Sequence, residues 1–135
     1  MSERMGGRAV HTSGAPSPAG AYSQGIVAGG LLFTAGFGPQ DPTSGEVPQG
    51  VGAQTAHVLR NIGAVLAEEG LTMCDVVKVT AHLQHLKRDF SEYDAVYREF
   101  FDEPCPVRTT VGSDLMDILV EIDVVAVVPG TKVPS

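Results

Sequence analysis

The chain has 135 residues, 43% of them hydrophobic and 19% charged, with 16 Gly and 9 Pro, which describes one globular domain rather than a disordered tail or a repeat array. Nine Lys and Arg against 16 Asp and Glu leave a formal charge of −7, and this excludes a basic phosphate-binding face. The absence of Trp and an aromatic content of 6% argue equally against platforms for stacked bases.

From the amino terminus, MSERMGGRAV carries no apolar signal-type run, and no stretch reaches the roughly 18 apolar residues of a membrane span. Cys74 and Cys105 are too few for a disulfide framework, so a cytoplasmic protein with free thiols and no membrane partner is expected. A single domain over 1–135 is expected, with irregular ends at 1–14 and 129–135. HTSGAPSPAG (11–20) reads as an irregular lead-in. Strand-like runs follow at Tyr22 to Ala28 and Leu31 to Ala35, joined by Gly29-Gly30, a pair that tolerates the positive φ of a tight hairpin. Residues 38–50 hold turn chemistry. From Val51 the period becomes helical, with Val51, Thr55, Val58, Leu59, Ile62, Val65 and Leu66 on one stripe and Gly70 as terminator.

Val76 to Leu83 is β-branched and predicts a strand. A second helix is predicted with Phe90, Tyr93, Val96, Tyr97, Phe100 and Phe101 on its apolar face, Asp89 as cap, and Pro104 and Pro106 beyond its end. Strands at Val107 to Val111 and Ile118 to Val128 complete the order β-β-α-β-α-β-β, an α+β domain with one sheet and two helices on one face. In the last strand Ile118, Val120, Ile122, Val124, Ala126 and Val128 share one face. Leu119, Glu121, Asp123, Val125 and Val127 share the other, and such a mixed face suits a subunit interface better than open water.

Glu121, set among apolar residues, is a carboxylate that is paired, exposed at an edge, or tuned for proton work. Arg108, between Val107 and Thr109 on a short strand, offers a planar fork for a carboxylate, whether a side chain such as Glu121 or Asp123 or a ligand. Spacing alone leaves these alternatives open. His82 and His85 lie at a strand end without a third ligand cluster, so no metal site is expected. Cys105 between prolines reads as a packing residue. No dinucleotide fingerprint, P-loop or nucleophile elbow is present.

Several ordered motifs resemble those of the Rid family (RidA/YjgF-type imine deaminases, also described as L-PSP endoribonucleases). They are GAYSQG (20–25), LLFTAGFGPQDPTSGE (31–46), AQT with NIGAVLAEEG (53–70), DVVKVTAHL (75–83), YDAVYREFF (93–101), P-x-R-T-T-V (106–111) and VEIDVVA (120–126). The resemblance runs from about Ala15 to Val128. It implies a fold like that of the Bacillus-type chorismate mutase, a homotrimer with a central barrel and ligand clefts between subunits. It further implies hydrolysis of 2-imino or enamine acids to 2-keto acids and ammonia, with no metal or organic cofactor. Arg108 matches the arginine that holds the substrate carboxylate, and Glu121 the glutamate near the attacking water. Tyr22, Gly36, Phe37, Asp94 and Thr110 match cleft-lining positions.

Some of these positions depart from the family pattern. Ala35 stands for a serine, Phe37 for a glutamine, Thr110 for a frequent cysteine and Asp94 for an asparagine, while the connection GSDLMD (112–117) is short and lacks Leu-Pro. An altered pocket shape and substrate range are the consequence. The alternative reading is a non-catalytic trimer that binds a small carboxylate or serves regulation. Ribonuclease activity is less favoured, because the charge of −7 and the missing basic stripe oppose RNA binding.

Overall fold

The computed structural model describes residues 6–130. Its elements are β1 (Arg8–Val10), β2 (Gly25–Ala28), β3 (Leu31–Thr34), α1 (Val51–Glu68), β4 (Val76–Leu83), α2 (Leu86–Arg98), β5 (Val107–Gly112) and β6 (Val120–Val127), with a 3-10 turn at Met73–Asp75 before β4. One six-stranded sheet has the order β1-β2-β3-β6-β4-β5. Every neighbour pair is antiparallel except β4 with β5, which the crossover through α2 makes parallel. The expected α+β class, single sheet and two helices are all present.

Alternation along β6 decides the layering. Val120, Ile122, Val124 and Ala126 are buried beneath the helices, and their β4 partners Leu83, Ala81 and Val79 are buried with them. On the helix side, α1 buries Val58, Leu59, Ile62, Val65 and Leu66 completely. Gly70 ends this helix region at φ 70°, a backbone that a side chain resists. Gly29 and Gly30, at φ 59° and 78°, form the expected hairpin turn between β2 and β3. Gly52 donates its N–H to the Glu92 carboxylate at 3.1 Å, so α2 supplies the acid that satisfies an orphan donor at the start of α1.

The opposite face of the sheet carries Leu31, Phe33, Lys78, Thr80, His82, Glu121, Asp123, Val125 and Val127 by register. Phe33 and Val127 are exposed there, at 43% and 42%. No described element covers this face.

Three local expectations change. Arg8–Val10, within the end expected to be irregular, forms β1 against Gly25–Val27; the remainder of that expectation falls partly on residues outside the described ones. The second strand begins at Gly25 and not at Tyr22, because the Gln24 side chain is buried to serve the lead-in. Its Nε2 donates to the Thr12, Ala15 and Pro16 carbonyls at 3.0, 3.3 and 2.9 Å, and its Oε1 accepts from Thr12 N–H at 2.7 Å. Helix α2 begins after His85, so Asp89 sits in its first turn rather than at its cap. There it accepts from Arg88 at 2.9 and 3.0 Å and lies where the helix field favours an acid.

Candidate functional site

The site residues named from the sequence fall into two groups on opposite faces of the sheet. Arg108 pairs in register with buried Val79 and so faces the helices. Glu121 pairs with His82 and faces the open side. Strand β4 lies between β5 and β6, so Arg108 is not a lateral neighbour of Glu121 or Asp123, and its carboxylate partner is Asp94 on α2.

The first group surrounds Arg108. Its guanidinium lies 4.6 Å from the Tyr97 ring centroid and 5.6 Å from those of Phe90 and Tyr93, an aromatic shelf that limits how the fork can turn. Nη1 donates to Asp94 Oδ1 at 2.7 Å, leaving other N–H groups of the fork uncommitted. Thr110, two residues along β5, shares a hydrogen bond of 3.3 Å with the Tyr93 hydroxyl. Burial opposes the ionisation of Asp94, but the hydrogen bond and charge of Arg108, followed by those of Arg98, outweigh it and hold this carboxyl below its usual range. Burial drives the Tyr97 hydroxyl up to about 12, so it stays protonated. Asp94, Tyr97, Phe101, Cys105 and Arg108 line a cavity of about 460 Å³. Cys105 is therefore an exposed cavity residue and not a packing residue.

The second group surrounds Glu121. Together with Tyr22, Gly36 and Phe37 it lines a cavity of about 700 Å³, bordered by the connection through Asp114, Leu115 and Met116. Phe37 is buried and bridges Ile122, with N–H to carbonyl distances of 2.8 and 3.1 Å, which fixes the loop beside Glu121. The Tyr22 hydroxyl accepts from Ala19 N–H at 3.0 Å, so its own proton remains available to a ligand. A Cβ on Gly36 would stand 2.7 Å from Glu121 Oε2 and 3.0 Å from Cδ, so only glycine leaves room for this carboxylate. Gly36→Ala is expected to cost little stability, since the side-chain tip can swing away. The displaced carboxylate should lower any turnover that depends on it about 10²-fold. Steady-state kinetics beside a urea melt check both halves of that expectation.

The aromatic shelf was legible as a helix stripe, but its contact with Arg108 was not, because it depends on how α2 lies over β5. Among the described residues no cluster of His, Cys, Asp or Glu could hold a metal ion. His82 instead shares a 2.7 Å hydrogen bond with Ser113. No described helix is long and apolar enough to cross a membrane.

A RutC family protein of Pyrococcus horikoshii is 42% identical over 120 residues, covering 87% of this chain and 94% of that protein. Among solved structures, Escherichia coli TdcF with bound serine matches with a TM-score of 0.83 and 34% identity, over 89% of this chain and 98% of its own. RidA from Psychrobacter matches with a TM-score of 0.84 and 30% identity, over 89% and 98% of the two chains. The family model described as endoribonuclease L-PSP matches residues 12–128. The chain therefore belongs to the endoribonuclease L-PSP family, which includes the YjgF and RutC proteins.

Proposed function

We propose that this protein hydrolyses 2-imino acids, formed from enamines, to 2-keto acids and ammonia at sites shared between copies of the chain in a homotrimer. The observation that carries this reading is the pairing of an arginine fork, tied to Asp94 through one nitrogen with its other N–H groups uncommitted, with a separate, glycine-cradled carboxylate. Family membership supports a small-molecule imine deaminase or a related role, and the residues supply the chemistry.

Arg108 binds the substrate carboxylate through its free N–H groups while Tyr97 limits rotation of the fork. The C=N carbon then faces a water held by Glu121, which accepts the water's proton during attack and returns it toward the departing nitrogen. Tyr22 offers its hydroxyl proton to the same centre. An imine is already electrophilic and ammonia leaves readily, so positioned acid–base help suffices. Because Arg108 and Glu121 occupy opposite faces of one sheet, the site requires Arg108 from one copy and Glu121 from its neighbour. Burying the exposed apolar residues Phe33 and Val127 favours that assembly.

An amino acid oxidised in situ yields the imino acid, and semicarbazide traps what survives. The protein is expected to lower the trapped fraction. The reading fails if no imine in a panel responds, or if Arg108→Ala leaves the effect intact. A binding protein without turnover is the second reading, favoured by a cavity around Arg108 that is lined without Glu121. Ligand-dependent stabilisation with no keto acid formed would establish it. Phosphodiester cleavage is disfavoured by the charge of −7 and by the absence of any histidine among the described residues that line either cavity.

A further inference from the structure

We propose that Asp94 and Arg108 form a two-charge recognition site for zwitterions, Arg108 taking a carboxylate and Asp94 the cationic nitrogen on the adjacent carbon. This rests on the carboxylate-binding reading of Arg108 and narrows its substrate class to iminium and ammonium acids over plain carboxylates.

The two side chains are 2.7 Å apart, and both line the cavity of about 460 Å³. A plain carboxylate arriving at Arg108 would meet the Asp94 charge at close range, and like charges in one site repel. A zwitterion presents the complementary arrangement, with its cation separated from its carboxylate by a single carbon, so each end faces an opposite charge. Asp94 has capacity for this role. Its Oδ1 serves Arg108 and its Oδ2 accepts from Arg98 Nε at 3.0 Å, yet each carboxylate oxygen keeps a further lone pair.

Arg98 does not cancel the Asp94 charge, because its side chain is 77% exposed and such a pair is largely screened by water. Asp94 itself is only 16% exposed, and Arg108 is 24% exposed, so both act where solvent screens less. Glu103 and Arg98 also line the cavity with opposite charges that offset one another, so the preference rests on the less exposed pair Asp94 and Arg108.

L-Serine and L-glycerate differ at C2 in carrying ammonium or hydroxyl, and titration calorimetry on the full chain compares them. Wild type is expected to bind serine at least about tenfold more tightly, a difference that one weakly screened charge contact supplies. Asp94→Asn keeps an acceptor for Arg108 but removes the charge. It should bring the ratio close to one, in part by tightening glycerate. Raising the pH until serine loses its ammonium proton should erase the wild-type preference while Arg108 stays charged. Equal affinity in wild type, or a ratio unchanged by Asp94→Asn, overturns the proposal. If both ligands then still depend on Arg108, the carboxylate-binding reading survives alone. If neither binds wild type, both readings fall.

Discussion

Arg108→Ala and Glu121→Gln chains assembled together one to one are expected to recover about a quarter of wild-type activity, although each variant alone is nearly inactive. The separate losses follow from chemistry. Removing the fork deletes charge-assisted hydrogen bonds of about 1.5–3 kcal/mol each, so kcat/KM should fall about 10²–10⁴-fold. Replacing the proton acceptor by an amide should cost about 10²–10⁴-fold in kcat. Recovery follows from topology, since Arg108 faces the helices and Glu121 faces the open side with β4 between their strands. A site built across two copies regains both groups when the arginine donor carries the glutamine substitution and its neighbour carries the alanine. Random assembly satisfies each condition half the time. If each chain held a complete site, the mixture would show only the residual rates of its components. Sedimentation of wild type provides the independent arm, because a catalytically active monomer would sink the shared site outright.

How much of this was legible in the sequence depended on whether a signal was local. Val76–Leu83 is β-branched without a breaker and is a strand over those same residues. The alternation in β6 separated Val120, Ile122, Val124 and Ala126 from Glu121 and Asp123 correctly, because one face lies under helices and the other does not. Strand β1 has no signal in the sequence, because three residues after Gly6-Gly7 carry no period of their own and acquire extended form only by pairing with β2. Tyr22 reads as a strand residue for a related reason. Its propensity is β-like, but buried Gln24 diverts the chain and leaves Tyr22 free to line a cavity.

Arg108 and Glu121 were each identifiable as unusual charges in apolar strands. Their separation was not, because it depends on β6 entering the sheet beside β3 and β4 rather than beside β5. Asp94 illustrates the same limit. It lies 14 residues from Arg108 in sequence, and its ionic partner is set by the packing of α2 over β5.

Tyr93→Ala should destabilise the fold by about 3–5 kcal/mol, the usual cost of deleting a large buried ring, whereas Tyr93→Phe should cost about 1 kcal/mol. Tyr93 is completely buried, and its centroid lies 5.8 Å from both Phe90 and Tyr97, so its ring holds the centre of the aromatic row. The hydroxyl makes a 3.3 Å contact with Thr110, near the outer limit for a hydrogen bond, and contributes the smaller share. Urea melts at one fixed protomer concentration give both values, since the proposed assembly would tie apparent stability to concentration. Ligand binding separates the ring from the hydroxyl a second time. With the ring gone, the Arg108 guanidinium loses one face of its shelf and gains rotational freedom, so affinity for a small carboxylate should fall about tenfold through lost cation–π contact and ordering. Tyr93→Phe keeps that shelf and should bind as wild type does. Equal losses of stability and affinity in the two variants would transfer the role from the ring to the hydroxyl. A cost below about 1 kcal/mol for Tyr93→Ala would refute the view that packing of α2 on β5 holds the arginine in place.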